Sequence, residues 1–156
     1  MRKRIVPQTP VAFMPAGSWL PLEALAQVEL TSEDAEHPIE AALTTGAGPG
    51  WQAAQPGRQT VRLLFDEPQH LKRIRLVFEE HEAPRTQEFV LRWSSDRGRT
   101  YRELVRQQYN FSPPGTTSEC EEYSVELNDV TSLELSIMPD IGGGSARASL
   151  AALQVA

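Results

Sequence analysis

Residues 59–80 read QTVRLLFDEPQHLKRIRLVFEE, and apolar and polar side chains alternate on both sides of the Asp66-Glu67-Pro68 cluster. Before it, Val61, Leu63 and Phe65 fall on one face with Thr60, Arg62 and Leu64 on the other; after it, Ile74, Leu76 and Phe78 lie opposite Arg73 and Arg75. A period of two with one apolar face belongs to a strand that lays one side on a core and turns the other to water. Acidic residues followed by proline are turn chemistry, so the stretch predicts two strands joined by a turn at 66–68.

The alternation continues downstream. QEFVLRWSSD (87–96) places Phe89, Leu91 and Trp93 on one face. Short clusters at 82–84 and 95–98 supply turns, and Asp96-Arg97-Gly98 predicts a tight hairpin into TYRELVRQQY (100–109). Further strands are expected at 122–127, 132–138 and 148–155, with Tyr123, Val125, Leu127, Leu133, Leu135, Ile137, Leu150, Leu153 and Val155 toward the core. Many short strands separated by turn signals, with little helical periodicity, predict an all-β antiparallel β-sandwich.

Upstream, LPLEALAQ (20–27) and HPIEAALTT (37–45) each have the spacing for about two helical turns, giving one or two short helices near the N-terminus. Pro38 suits a first helical position and Gly46 lies beyond the end. GAGPG (46–50) is then a loop delivering Trp51, and SPPG (112–115) and IGGGS (141–145) are further loops. No repeat or linker divides the chain, so 1–156 reads as one domain, with 1–27 an N-terminal extension packing on the sandwich.

A chain of 156 residues, 40% hydrophobic and 23% charged, is enough for one substantial core. Cys120 stands alone, which excludes an intramolecular disulfide and a cysteine-rich metal site and favours a reducing compartment. The first 17 residues carry basic side chains, but Pro7, Pro10 and Pro15 interrupt the apolar run a signal peptide needs. They read as mature chain and the protein as cytoplasmic. No run approaches the roughly 18 apolar residues that cross a bilayer, so no membrane is expected as a partner.

Charge is unevenly spread within a net −6. Between Arg58 and Arg106 there are eleven bases and eight acids; between Gln107 and Asp140 there are seven acids and no base. A nucleic-acid binder displaces counterions with excess cationic surface, so nucleic acid is excluded as the main ligand. The acidic SECEEYSVELNDV segment (118–130) offers a surface to a basic protein partner.

Signals for catalysis are poor. His37, His70 and His81 do not stand at metal-ligand spacing, and neither a G-x-S-x-G elbow nor a phosphate-cradling loop is present. IGGGS lacks the lysine and helix such a loop needs. HEAPR (81–85) brings His81, Glu82 and Arg85 into one loop, for which a solvated turn is the competing reading. With no nucleophile beside a base, the chain reads as a non-enzyme without cofactor.

The succession VELTSEDAEHPIEAALTTGAGPGWQAAQPGRQTVRLLFDEPQHLKRIRLVF, then FVLRWSSDRGRTYRELV, then SIMPDIGGGSARASLAALQV resembles the discoidin or coagulation factor 5/8 C-type domains over residues 28–156. The resemblance implies a galactose-binding-like jelly roll in which a short helix leads to a loop, a tryptophan and an extended strand. Many members hold calcium with an Asp before Gly in the loop after the helix and a Glu in the last strand. The matching positions here are Thr45 and Ala152, so no metal is expected.

The resemblance also implies a non-catalytic binding module that takes a small polar ligand, such as a carbohydrate, on loops at one end of the sandwich. Arg85, Gln87, Tyr109, Asn110 and Phe111 are the candidate ligand-binding residues. The competing reading has Tyr109 and Phe111 cover a sandwich edge while Arg85 pairs with an acid. Trp51 is expected to pack beneath the loops. Trp19 lies outside the resemblance, and packing and exposed contact both stand for it. The alternative function is an intracellular protein-protein interaction domain without sugar affinity, since WQAAQPGRQT (51–60) is similar to a stretch in the polymerase-contacting N-terminal domain of the single-strand-break repair scaffold. A sugar site predicts an exposed aromatic beside convergent polar groups, and a protein partner a flatter apolar patch. Oligomeric state stays open.

Overall fold

The expected turn at 66–68 is absent. In the computed structural model, which describes residues 3–4, 19–44 and 49–156, strand β3 runs unbroken over Gln59–Glu79. Its buried positions are odd-numbered from Val61 to Leu71 and even-numbered from Ile74 to Phe78. An extra residue in a strand reverses which face the later side chains occupy, and β3 changes phase this way, through register shifts between Leu64 and Arg73. Its antiparallel partner β6 (Ser118–Met138) bends opposite it, with Asp129 in the left-handed region at φ 56°. The sequence break at Asp66-Glu67-Pro68 therefore marks an irregularity inside one long strand.

Each half of β3 belongs to a different part of the sandwich. Its first half lies between β1 (Ala26–Leu30) and the later half of β6, beyond which come β4 (Arg85–Ser94) and the edge strand β5 (Arg102–Phe111). Its second half lies between the early half of β6 and β8 (Ala152–Val155). Phe78 of that half stacks on Phe89 of β4 with ring centroids 5.1 Å apart. Both rings are fully buried. Truncating either to alanine should cost about 3–5 kcal/mol, the usual penalty for an emptied aromatic site.

The remaining elements depart from expectation in length. Helix α1 (Leu22–Leu25) is one turn, because Ala26 and Gln27 are drawn into β1 by pairing with Phe65 and Leu64. Helix α2 (Glu40–Leu43) is also one turn, ending where Thr44 becomes extended. The strand expected over 148–155 is divided at Ala151 into β7 (Arg147–Leu150) and β8. Strand β7 pairs with β2 (Trp51–Pro56) in a separate two-stranded sheet. Trp51 opens β2 and packs as expected: it is 1% exposed, and its indole N–H donates to the Ser32 carbonyl at 3.1 Å. Before it, Gly50 has φ +99°, and a Cβ there would stand 2.5 Å from the Leu150 carbonyl oxygen, so only glycine lets the chain enter β2 flush against β7.

Of the N-terminal extension, residues 1–2 and 5–18 lie outside the described residues. From Trp19 onward it packs on the sandwich: the Leu20 N–H donates to the Val155 carbonyl at 2.8 Å, Leu22 is buried, and the half-buried Trp19 ring lies 5.1 Å from the Arg73 guanidinium carbon. Among the described residues no helix is long and apolar enough to cross a membrane.

Candidate functional site

At one end of the sandwich the chain leaves β3 at Glu79 and enters β4 at Arg85, while it leaves β6 at Met138 and enters β7 at Arg147. These two connections lie side by side because Arg85 holds both. Its guanidinium, with a side chain 2% exposed, donates from Nε to Glu80 Oε1 at 2.6 Å and from Nη1 to the Pro139 carbonyl at 2.8 Å. The other Glu80 oxygen accepts the backbone N–H groups of Glu82 at 3.0 Å and Ala83 at 3.4 Å. Burial pushes the Glu80 carboxyl up, but the hydrogen bonds from Arg85 and the loop backbone outweigh it and hold the group below its ordinary value.

The second connection is fixed at its start and open at its tip. The Ile141 N–H donates to the Thr86 carbonyl at 2.9 Å, and the Gly142 and Gly143 N–H groups return to Asp140 at 3.0 Å each. Gly143 and Gly144 have φ +88° and +91° with open space where a Cβ would stand, so the turn needs glycine for its backbone conformation.

Between these connections and the β2–β7 sheet runs a polar trough with two lobes. One lobe, about 300 Å3, is bordered by His37, the Glu79–Glu82 segment and Ser149. The other, about 420 Å3, is bordered by Ala83, Pro84, Asp140 and the Gly143–Ala146 segment. Gln52, Glu80, Glu82 and Arg147 line both. Backing two of the lining residues, Asp34 Oδ2 is 3.6 Å from Arg147 Nη1 and 3.7 Å from His37 Nδ1. A backbone hydrogen bond from Glu36 is the main cause holding the Asp34 carboxyl below its usual range. His37 Nδ1 is closed to solvent and has no hydrogen-bond partner. The trough therefore gathers guanidinium and amide donors with carboxylate acceptors, a combination that orients a polyhydroxylated ligand. A hollow of about 370 Å3 beside Trp19, Leu22 and Leu43 is mainly apolar and gathers fewer such groups.

The five sequence candidates, expected on loops, stand instead on two paired strands. Arg85 faces Phe111 in the β4–β5 register, Thr86 faces Asn110, and Gln87 faces Tyr109. Arg85, Gln87 and Phe111 are buried. The guanidinium lies 4.8 Å over the Phe111 ring, and Nη1 also donates to Gln87 Oε1 at 3.2 Å. Tyr109 is half-buried against Phe111, and its hydroxyl donates to the Ser118 carbonyl at 3.0 Å; Asn110 is exposed and accepts from the Thr86 hydroxyl at 2.5 Å. Only Arg85 borders the trough, from beneath.

Gln52, Glu80 and Arg147 escape a reading of the sequence, because they come from three distant segments with no spacing to link them. The HEAPR stretch is the available signal: His81 and Glu82 both line the trough. The signature expected of a sugar site is met only in its polar half. Trp51 is the one Trp, Tyr or Phe lining the trough and is buried, and the only exposed large hydrophobic among the described residues is Ile141, 50% exposed next to Asp140 in the loop that borders the larger lobe. Of the two positions compared with calcium ligands, Thr45 lies outside the described residues and Ala152 has no side-chain oxygen. Among the described residues no group of three or more His, Cys, Asp or Glu is arranged to hold a metal ion.

No protein-family model matches the chain, and no curated protein matches it. Solved structures do. A family 32 carbohydrate-binding module from Clostridium perfringens NanJ, in complex with galactose, superposes with TM-score 0.62 at 12% identity, covering 88% of this chain and 96% of that one. CBM32-3 from a family 31 glycoside hydrolase of Clostridium perfringens gives 0.60 at 17%, covering 92% and 98%. A further module from that organism, in complex with GalNAc-β-1,3-galactose, gives 0.60 at 18%, covering 88% and 99%. At these identities the likeness establishes the fold: a β-sandwich of the galactose-binding-like jelly-roll kind, which these modules share with discoidin domains.

Proposed function

We propose that the chain is a non-catalytic carbohydrate-binding module whose ligand lies in the two-lobed trough. The observation that carries this is the convergence of Gln52, Glu82 and Arg147 from three segments onto one trough whose floor, the Glu80–Arg85 pair, is already locked. A locked floor needs no further ordering when a ligand arrives, so it holds the trough's shape ready for the groups around it. In this reading Arg147 and the Gln52 amide donate to sugar hydroxyls, and Glu82 and Asp140 accept from them. Ile141, exposed next to Asp140 in the loop that borders the larger lobe, supplies the apolar contact for the C–H face of a ring. Arg85 acts as a positioning residue beneath the site, with Gln87 and Phe111 behind it. The galactose and GalNAc-galactose complexes of the structural neighbours support a saccharide as the ligand class.

The test is a thermal-shift screen of the full chain against mono- and oligosaccharides, repeated with Arg147→Ala. A ligand at a hundred times its Kd adds about 2.7 kcal/mol of stability, so binding is visible as a rise in Tm. The expected result is a saccharide-dependent rise that Arg147→Ala abolishes while leaving the unliganded Tm nearly unchanged, since its ion pair with Asp34 is long and part-exposed. Calcium alone should give no rise. If no saccharide raises Tm, the reading fails, and a pull-down with basic proteins tests the alternative that the acidic β6 strand supports.

A further inference from the structure

We infer, resting on the proposal that the trough holds carbohydrate, that its ligand is a saccharide of at least two linked rings laid across both lobes. The two lobes adjoin: Gln52, Glu80, Glu82 and Arg147 border both, so these four side chains form the junction that a ligand reaching from one lobe to the other crosses. A lobe of about 300 Å3 or 420 Å3 stands at the small end of the roughly 300–1,000 Å3 typical of ligand sites. One ring occupies one lobe and leaves the donors and acceptors of the other in water. A ligand that spans both uses the whole constellation.

The chemistry of the junction fits a linkage. A glycosidic oxygen has no hydrogen to donate, so a group placed beside it must itself be a donor. Arg147 and the Gln52 amide supply donors there. Both Glu80 oxygens already accept from Arg85 and two backbone N–H groups, and Glu82, the other carboxylate of the junction, accepts from the hydroxyls that flank the linkage. The lobes also differ in a way that assigns an order. The larger has more room for a ring, with the exposed Ile141 next to Asp140 in the loop that borders it, whereas the smaller adds His37, His81 and Ser149 to the polar groups of the junction. The larger lobe takes the first ring and the smaller extends recognition to the next.

Titration calorimetry on the full chain with matched pairs tests this: galactose against GalNAc-β-1,3-galactose, glucose against cellobiose, mannose against mannobiose. In at least one pair the disaccharide should bind about tenfold more tightly or better, and His81→Ala should bring the ratio of the two affinities close to one. Ile141→Ala should weaken both members of that pair. A monosaccharide that binds with no disaccharide gaining more than about twofold overturns the two-ring inference and leaves the sugar-binding reading standing. No detectable binding by any of the six overturns that reading, and the inference with it.

Discussion

Two carboxyls, Glu80 part-buried and Glu119 buried, stand at the ends of one run of hydrogen bonds, and the fold holds them in opposite ways. At the trough, Glu80 receives Arg85 at 2.6 Å. Arg85 donates onward to Gln87, whose amide donates to Glu119 Oε1 at 3.4 Å. Glu119, on β6 and 3% exposed, faces no cation: its second oxygen has no hydrogen-bond partner, and the nearest charge is Glu121. Burial first, and Glu121 second, push its carboxyl up to about 8. A carboxyl drawn out of water thus stays ionised where the neighbour is a guanidinium, as at part-buried Glu80, and is protonated at neutral pH where it is buried beside another acid, as at Glu119. The first arrangement locks a loop and suits a preformed site. The second places a titrating group inside the sandwich, in the stretch of chain that carries no base.

The largest way to break this contrast is to remove the guanidinium. Arg85→Met keeps the bulk of the side chain but leaves Glu80 part-buried without its cation and the Pro139 carbonyl without its donor. The expected cost is about 3–5 kcal/mol in urea unfolding, with loss of any saccharide binding. A cost under about 1 kcal/mol would mean that Glu80 reaches water and that the trough floor is not locked.

Next is the opposite end. Because the folded-state value of Glu119 is raised, the native protein retains between about pH 4.5 and 8 a proton that the unfolded chain releases, so this group's contribution falls as pH rises through that window. Glu80, lowered by folding, contributes stability above its ordinary value that is lost as pH falls. Glu119→Gln keeps the neutral shape at every pH. It should leave stability near pH 5 almost unchanged and raise it at pH 9 by on the order of 2–3 kcal/mol. Unfolding curves of both proteins that stay parallel from pH 5 to 9 would remove the proton-holding role of Glu119.

The bridge between the two ends comes third. Gln87→Leu deprives Glu119 Oε1 of its donor while Arg85 keeps Glu80 and Pro139, so the expected cost is about 1–2 kcal/mol. Its mark is on the pH profile: without that donor the ionised form of Glu119 loses support, so the pH-dependent loss of stability should still begin near pH 4.5 but continue to higher pH before it levels off.

The same residues separate what is legible in the sequence from what is not. Alternation in 59–80 reveals the strand faces, and the side chains of Val61, Leu63, Phe65, Ile74, Leu76 and Phe78 are all in the core. The join between them reads as a turn because a phase change in a pattern of period two looks alike whether the chain reverses or bulges; only the long pairing of β3 with β6 distinguishes the cases. The chemistry of Arg85 stands out in the sequence, but nothing local reveals that a guanidinium starting a strand turns inward onto Glu80 and Phe111. Gln52 and Arg147 lie beyond reach for a simpler reason: they meet only once β2 and β7 pair.

The smallest effect sharpens the comparison most, because it holds the chemistry constant and changes only the surroundings. Arg106 on β5 also binds carboxylates, Glu88 at 3.0 Å and Glu103 at 2.9 Å, two hydrogen-bonded ion pairs against the single 2.6 Å pair of Arg85. Its side chain is 47% exposed, however, on the edge strand of the sheet. Water solvates the guanidinium and both acids if the contacts break, and salt screens them when formed. Arg106→Ala should therefore leave the urea midpoint almost where it is, and closer still at 1 M salt, measured beside Arg85→Met in the same titration. A cost close to that of Arg85→Met would mean that contact geometry, and not enclosure, sets the worth of an arginine in this fold, and the case for Arg85 as the lock of the trough would then rest on its bond to Pro139 alone.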